Sequence, residues 1–314
     1  MTNKILKCFK IFRQDMSRKT FCITFFLAFI TASCLFADCF QKKTHYLFTK
    51  EPIDVVIPCC EKDLYTLDLC IKGIRQNGKN IRRIIVVSDE PFSSQAEWFD
   101  EKNFPFSKKD LAVEIFHNNK KSAEDFLASP RSRIGWIYQQ FLKLYAYFVI
   151  PDISSNILIL DSDTIFLNPT EFTNAIGEPY FTTDTENVGV YFDHGKRLLP
   201  GFKRVNKSLS GIANHMLFQG CILEDLFDQI YQIHHEEPWK AICRCIDTNY
   251  VYSSCLSEYE IYFNFALLRT DQAHPRTLIK ANVSSLDRIE NFRKEKYSYI
   301  SCHEWMRPRN AQHQ

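Results

Sequence analysis

Asn156-Ile157-Leu158-Ile159-Leu160-Asp161-Ser162-Asp163 is the stretch on which the reading of this chain turns. A short, uninterrupted apolar run marks a strand buried on both faces, and here it leads straight into two carboxylates one residue apart. Side chains alternate along an extended chain, so Asp161 and Asp163 leave on the same side. In open α/β sheets the edge beyond the carboxyl ends of the strands is where ligands bind, and this pair sits at such an edge. Two close carboxylates repel. A hard divalent cation with oxygen ligands, magnesium or manganese, relieves that repulsion and can also take diphosphate oxygens. The plainer reading of either aspartate alone is a helix cap or the close of a turn.

Working outward, Ile53-Asp54-Val55-Val56-Ile57-Pro58 is another brief apolar run, stopped by proline, and reads as a first buried strand. Leu64, Leu67, Ile71 and Ile74 then recur at helical spacing with Asp68, Lys72 and Arg75 on other faces, and Asn77-Gly78 ends the pattern. The run IRRIIVVS over 81–88 reads as a second strand. Strand, helix, strand with near-continuous apolar strands implies a mostly parallel sheet covered by helices on both faces, the Rossmann-like α/β class. A third strand is expected at 112–117, and a long, mostly buried helix at 134–150, stopped by Pro151. Further strands are expected near 180–183, 188–192 and 297–302, with helices at 221–234 and 258–268. There is no internal repeat, so 51–314 reads as one domain.

At 314 residues, 45% hydrophobic and 24% charged, the chain is long enough to bury a sizeable core. Its 39 basic and 37 acidic residues give a formal charge of +2, so no global field draws nucleic acid and any anion site must be local. Four of its 12 cysteines, Cys8, Cys22, Cys34 and Cys39, lie in or beside an apolar N-terminal stretch, and no pair beyond it has Cys-x-x-Cys spacing. That removes the usual signals for zinc or thioredoxin-like chemistry. Cys59-Cys60 and Cys243-x-Cys245 read as buried small hydrophobes.

Val55-Val56-Ile57-Pro58, the helix segment Gln139-Gln140-Phe141-Leu142-Lys143-Leu144 and Ile157-Leu158-Ile159-Leu160-Asp161-Ser162-Asp163-Thr164-Ile165-Phe166-Leu167 together resemble the N-terminal half of GT-A glycosyltransferases, particularly uncharacterised bacterial transferase-like proteins. The likeness is good over residues 52–170 and loose beyond. It implies a GT-A-type sheet and transfer of a sugar from a nucleotide-sugar donor to a glycan, lipid or protein acceptor. It also implies a nucleoside held by the first strand and its loop, so by Pro58, and manganese or magnesium on Asp161 and Asp163. The second half of the domain would then build the acceptor side.

The same resemblance places further residues. Lys143 is the one charge in an apolar helix, a turn from Gln139 and Gln140, so the three form a narrow polar stripe. It is either a snorkelling lysine or, as in similar enzymes, a basic group near the nucleotide, with Gln139 beside it. Many GT-A enzymes take a third metal ligand from a histidine late in the domain. His303, after the strand expected at 297–302, is the choice, and His215 is a second candidate for the substrate site. His234 and His235 read as surface residues. Transfer with inversion needs a carboxylate base, for which Glu258 and Glu260 are the candidates, although acids also favour helix N-termini through the dipole. Tyr262, Phe263 and Phe265 read as core.

Two other functions fit parts of the pattern. A haloacid-dehalogenase-like phosphatase also carries Asp-x-Asp after an apolar strand, but it expects threonine or valine where Ile165 stands, and a later Gly-Asp or paired-Asp metal motif that is missing here. A catalytically inert glycan-binding module on the same fold would have little use for two repelling carboxylates at one edge.

The first 19 residues carry Lys4, Lys7, Lys10, Arg13, Arg18 and Lys19 against a single acid, Asp15. An uncharged apolar run follows from Thr20 to Ala37, at the short end of the roughly 17–25 residues that span a bilayer. It is longer than the usual core of about 7–15 residues in a signal peptide, and Phe36-Ala37-Asp38 is a poor cleavage site. One single-pass anchor at 20–40 is expected, then a polar linker at 41–50. The positive-inside rule puts the tail in the cytoplasm, although Lys42 and Lys43 weaken the asymmetry. That is the type II arrangement of Golgi transferases. A bacterial exported domain would lack nucleotide sugars, so the side of the membrane stays open.

Overall fold

The computed structural model describes residues 43–308. The basic tail and the anchor expected at 20–40 lie outside the described residues. Among the described residues no helix is long and apolar enough to cross a membrane.

The first half runs β1 (Ile53–Pro58), α1 (Leu64–Asn77), β2 (Ile81–Ser88), β3 (Glu97–Asp100), α2 (Lys108–Ile115), α3 (Lys120–Ala128), α4 (Ile134–Val149), β4 (Asn156–Leu160) and β5 (Thr164–Phe166). The second half runs β6 (Tyr180–Thr182), α5 (Gly189–Leu198), β7 (His215–Gln219), α6 (Gly220–His234), α7 (Pro238–Arg244), α8 (Glu258–Arg269), β8 (His274–Arg276), β9 (Lys280–Asn282), α9 (Ile289–Lys294) and β10 (Tyr299–Ser301). The central sheet has five strands in the order β3-β2-β1-β4-β7. Its first four are parallel and β7 is antiparallel to β4, so the fold is mixed α/β with a mostly parallel central sheet, as expected.

The apolar strands exist because both faces of this sheet are covered. Ile53, Val55 and Ile57 of β1 share a core with Leu158 and Leu160 of β4 and with Leu67, Cys70, Ile71 and Ile74 of α1. Val56, Ile85 and Ile159 on the other face are also fully buried, and α4 contacts β1. At about 1.5–3 kcal/mol for each buried Val, Ile or Leu side chain, this double burial outweighs the alternation a one-sided strand would show. Beyond β4 the chain enters a small sheet, β5-β10-β9, in which β10 is antiparallel to β5 and parallel to β9. α1 packs tightly on β5, because a Cβ at Gly73 would lie 2.8 Å from the Phe166 carbonyl oxygen.

Two expected strands are helices instead. Residues 112–117 fall in α2 and the turn after it. Ser107 accepts from the Asp110 N–H while Asp110 bonds back to Ser107, and this capping box starts a helix that buries Leu111, Ala112 and Ile115. Residues 188–192 open α5, whose buried face is Tyr191, Phe192, Gly195 and Leu198. The third strand in sequence is β3, an edge strand that is only partly buried and so lacks an apolar run. The stretch expected as a linker is tied down from Lys43 onward. Thr44 N–H donates to the Arg269 carbonyl (2.5 Å), and Tyr46 N–H donates to Gln272 (2.8 Å).

Candidate active site

The chain leaves β4 at Leu160 and turns at once. Asp161 N–H donates to the Asn214 carbonyl at 2.9 Å, and Thr164 N–H donates to the Asp161 carbonyl at 3.0 Å. Asn214 has a left-handed backbone (φ 63°), which asparagine adopts readily. Ser162 is buried and donates to the Asp63 carboxylate at 3.3 Å, in the turn after β1. The carboxyl ends of β1 and β4, neighbours in the sheet, are thereby joined beside the two aspartates.

Asp163 meets His303. Thr164 and Ser301 share a hydroxyl hydrogen bond of 2.9 Å, and Cys302 N–H donates to the Asp163 carbonyl at 2.9 Å. These bonds dock β10 on β5 and bring His303 Nδ1 to 2.8 Å from Asp163 Oδ2. The imidazole stacks on Trp305, with 5.7 Å between centroids. Arg307 fastens this segment to the turn after β1, donating to the Lys62 carbonyl (2.8 Å), to Asp63 (3.1 Å) and to the Cys302 carbonyl (2.9 Å). Burial pushes the Asp163 carboxyl up, but the hydrogen bond and charge of His303, with Lys62 and Arg307 behind it, outweigh that and hold it below its ordinary value. Burial lowers His303, and the Asp163 hydrogen bond and charge overcome it, so the imidazole is more basic than usual.

Asp161 has a different partner. Lys143, with 3% of its side chain exposed, donates to Asp161 Oδ1 at 2.5 Å and to Glu258 Oε1 at 2.7 Å. Tyr259 offers its hydroxyl to Asp161 Oδ1 at 3.3 Å and its ring to the ammonium, 4.5 Å from the centroid. Burial works against the charge on Lys143, and the charges of Asp161 and Glu258 overcome it and raise its pKa. Burial raises Glu258, as does the charge of Asp161, against the pull of Lys143. The repulsion expected between Asp161 and Asp163 is therefore relieved by the Lys143 ammonium on one carboxylate and by the His303 hydrogen bond on the other.

A cleft of about 400 Å³ is lined by Asp63, though not by Asp161, Asp163 or His303. Pro58, Lys62 and Asp63 line it from the β1 end, and Gln139 and Leu142 from α4. Two residues expected at the substrate, Pro58 and Gln139, thus face one cavity whose wall includes Asp63, the acceptor of the Ser162 hydroxyl. Lys143 instead points into the Asp161–Glu258 pair. His215 lies in the core at 1% exposure, bonded to Thr182 Oγ1 (3.0 Å) and ringed by Phe166, Phe172 and Tyr299. Glu260 is buried, accepting from Ser210 (2.6 Å) and Asn264 (2.7 Å). Asp63, Tyr259 and Arg307 escaped the sequence reading. Arg307, a basic residue four past His303, was the one with a local signal.

Among the described residues there is no group of three or more His, Cys, Asp or Glu that could hold a metal ion. What exists is a two-donor edge. Asp163 Oδ2 and His303 Nδ1 are 2.8 Å apart. Adjacent ligands of a small octahedral cation, bound at about 2.1 Å, are spaced by about 3 Å. The donors suit magnesium or manganese, ions that commonly take one or two protein ligands and complete their shell with substrate phosphate and water.

No family model and no curated protein matches the sequence. Among solved structures the chain is similar to the mannosyltransferase Ktr4p from S. cerevisiae, at 10% identity and TM-score 0.45 over 79% of this chain and 78% of that one. It is also similar to mouse xyloside xylosyltransferase 1, at 11% identity and TM-score 0.36 over 80% and 96%. A third is the galactosyltransferase LgtC in complex with donor and acceptor sugar analogs, at 10% identity and TM-score 0.39 over 79% and 86%.

Proposed function

We propose that this chain is a GT-A-type glycosyltransferase, moving a sugar from a nucleotide-sugar donor to a glycan, lipid or protein acceptor with a manganese or magnesium ion at Asp163 and His303. The carrying observation is the Asp163–His303 contact at the carboxyl edge of a mostly parallel sheet, next to a cleft lined by the end of β1. Ligand sites belong at that edge, and a carboxylate and an imidazole in contact beside a cavity of nucleotide size need a purpose there. When bound, the ion would neutralise the charge that develops on the leaving diphosphate.

The protein's own groups divide the remaining work. The cleft between β1 and α4 takes the nucleoside, with Pro58 and Gln139 on its walls. Lys62, at the same cleft, places an ammonium near the diphosphate. Lys143 neutralises Asp161 and locks its direction, and Glu258 holds that lysine in place. Glu258 is thus a positioning residue, its carboxylate too buried and too well paired to take a proton from an acceptor hydroxyl. Residues 20–40, apolar after a basic tail, would hold the enzyme at a membrane.

Calorimetric titration of the full-length chain with UDP and with GDP, each with and without manganese, tests the reading beside Asp163→Asn. Manganese-dependent binding of one nucleotide is expected, weakened at least about tenfold, or about 1.4 kcal/mol, in the variant. Failure of both nucleotides to bind would sink the proposal and favour an inert glycan-binding module.

A further inference from the structure

Another part of the cleft wall carries polar groups that the diphosphate chemistry does not use. Glu101 follows β3 and Lys108 opens α2, and both line the cavity with Trp136 and Tyr138 of α4. The Glu101 side chain is largely buried, and the one ion pair of its carboxylate among the described residues is with the half-exposed Lys108, whose Nζ stands 3.5 Å away, a long contact that leaves the carboxylate able to accept further donors. Tyr138 fixes the spot, its hydroxyl donating to the Glu101 carbonyl at 3.1 Å and its ring lying 5.2 Å below the Lys108 ammonium. Trp136 brings an indole to the same wall, braced on one side by Arg133 at 4.4 Å. Burial, ahead of the opposing charge of Lys108, raises the Glu101 pKa, as befits a desolvated carboxylate short of donors.

We infer that this wall reads the base of the nucleotide, that the base is guanine, and that Glu101 and Lys108 are the residues that select it; the inference rests on the cleft being the donor site proposed above. Guanine presents N1–H and the N2 amino group side by side, with the O6 acceptor next to them. A carboxylate accepts both N–H donors at once, and an ammonium beside it donates to O6. The other bases meet this pair worse. Uracil offers one donor between two acceptors, so one carboxylate oxygen faces a carbonyl. Adenine and cytosine set a ring-nitrogen acceptor where guanine has N1–H. Discrimination of this kind comes from the buried polar group left unpaired by the wrong base. Trp136 supplies a stacking surface for any base and so adds affinity without preference.

The test is titration of the full-length chain, in manganese, with GDP, IDP, UDP, ADP, CDP and inorganic pyrophosphate. GDP should bind about tenfold or more tightly than UDP, ADP and CDP, and IDP, which lacks the N2 amino group, should fall well below GDP. Glu101→Gln should bring the GDP preference to within about threefold while pyrophosphate binding is unchanged, and Lys108→Met, at an exposed side chain, should narrow it independently of any folding defect in the first variant. UDP binding as tightly as GDP, or an undiminished preference in Glu101→Gln, overturns the assignment of guanine and leaves the donor site standing. Absence of binding by every compound overturns the donor site and this inference with it.

Discussion

Lys143 holds a positive charge almost out of reach of water because two carboxylates, both later in the chain, close on it. Asp161 is 18 residues away and Glu258 is 115. Breaking a buried ion pair by removing one partner costs about 3–5 kcal/mol, since the remaining charge stays desolvated. Lys143→Met leaves two carboxylates facing each other, one of them wholly buried, and should lose about 3 kcal/mol of stability as read from the urea midpoint. Adding Glu258→Gln should recover a good part of that loss, and a double variant no better than the single one would mean that Glu258 is not the partner that matters. The Asp-Ser-Asp turn was legible because its signal is local, an apolar strand ending in acid. Lys143 was legible as an odd charge on an apolar helix, but its partner was not, since no spacing rule joins residues 115 apart. Glu258 read as a candidate base or as an ordinary acid at a helix start, and it does stand at the start of α8, just after the Ser257 cap.

At the scale of elements, reading succeeded where burial is continuous and failed where a short apolar stretch admits two periods. β1, β2 and β4, buried on both sides, lie where their sequences put them. The stretch 112–117 alternates well enough to pass for a strand, and the information that makes it a helix lies upstream, in the Ser107–Asp110 capping box. β10 lies inside the strand expected at 297–302, whereas β5 was harder still, because it is only three residues long and gains its stability from β10 and from α1. That dependence gives a prediction at Gly73, where a methyl group would press on the Phe166 carbonyl oxygen and amide nitrogen at 2.8 and 3.0 Å, backbone that cannot turn aside. Gly73→Ala adds helix propensity but overpacks this contact, and the net effect should be a loss of about 1–3 kcal/mol. Because Asp163 immediately precedes β5, manganese affinity should fall along with the thermal midpoint. A variant as stable as the parent, with unchanged manganese binding, would show that α1 does not set the position of β5.

For the molecule as a whole, two histidines that play no part in the proposed chemistry set how it responds to acid. His194 on α5 is fully buried, donates from Nε2 to the Ile242 carbonyl at 3.0 Å, and is pushed down to about 4 by burial, against that hydrogen bond and with Arg197 adding to the shift. His215 on β7 is pushed down to about 3 by burial first and by Arg276 next, with Lys280 adding and a backbone bond at Ala213 opposing. Both are neutral in the folded chain and take a proton near 6.5 once unfolded. At these two sites the unfolded state therefore binds more protons between the two values, and their contribution to stability falls as pH drops below 6.5, until the folded histidines themselves titrate. At pH 5 each site should have lost about 2 kcal/mol relative to neutral pH, counting about 1.4 kcal/mol per pH unit below 6.5. Urea denaturation at pH 7 and pH 5 reads this loss together with the opposing gain from His303 and Glu258, which hold protons more readily when folded, and His194→Phe should remove about 2 kcal/mol of the loss even if it shifts both midpoints. An identical acid loss in that variant would assign the sensitivity to other groups. Because neither histidine touches the cleft, nucleotide binding by the fraction still folded at pH 5 should depend on Asp163 and His303, not on this pair, which separates a loss of fold from a loss of site.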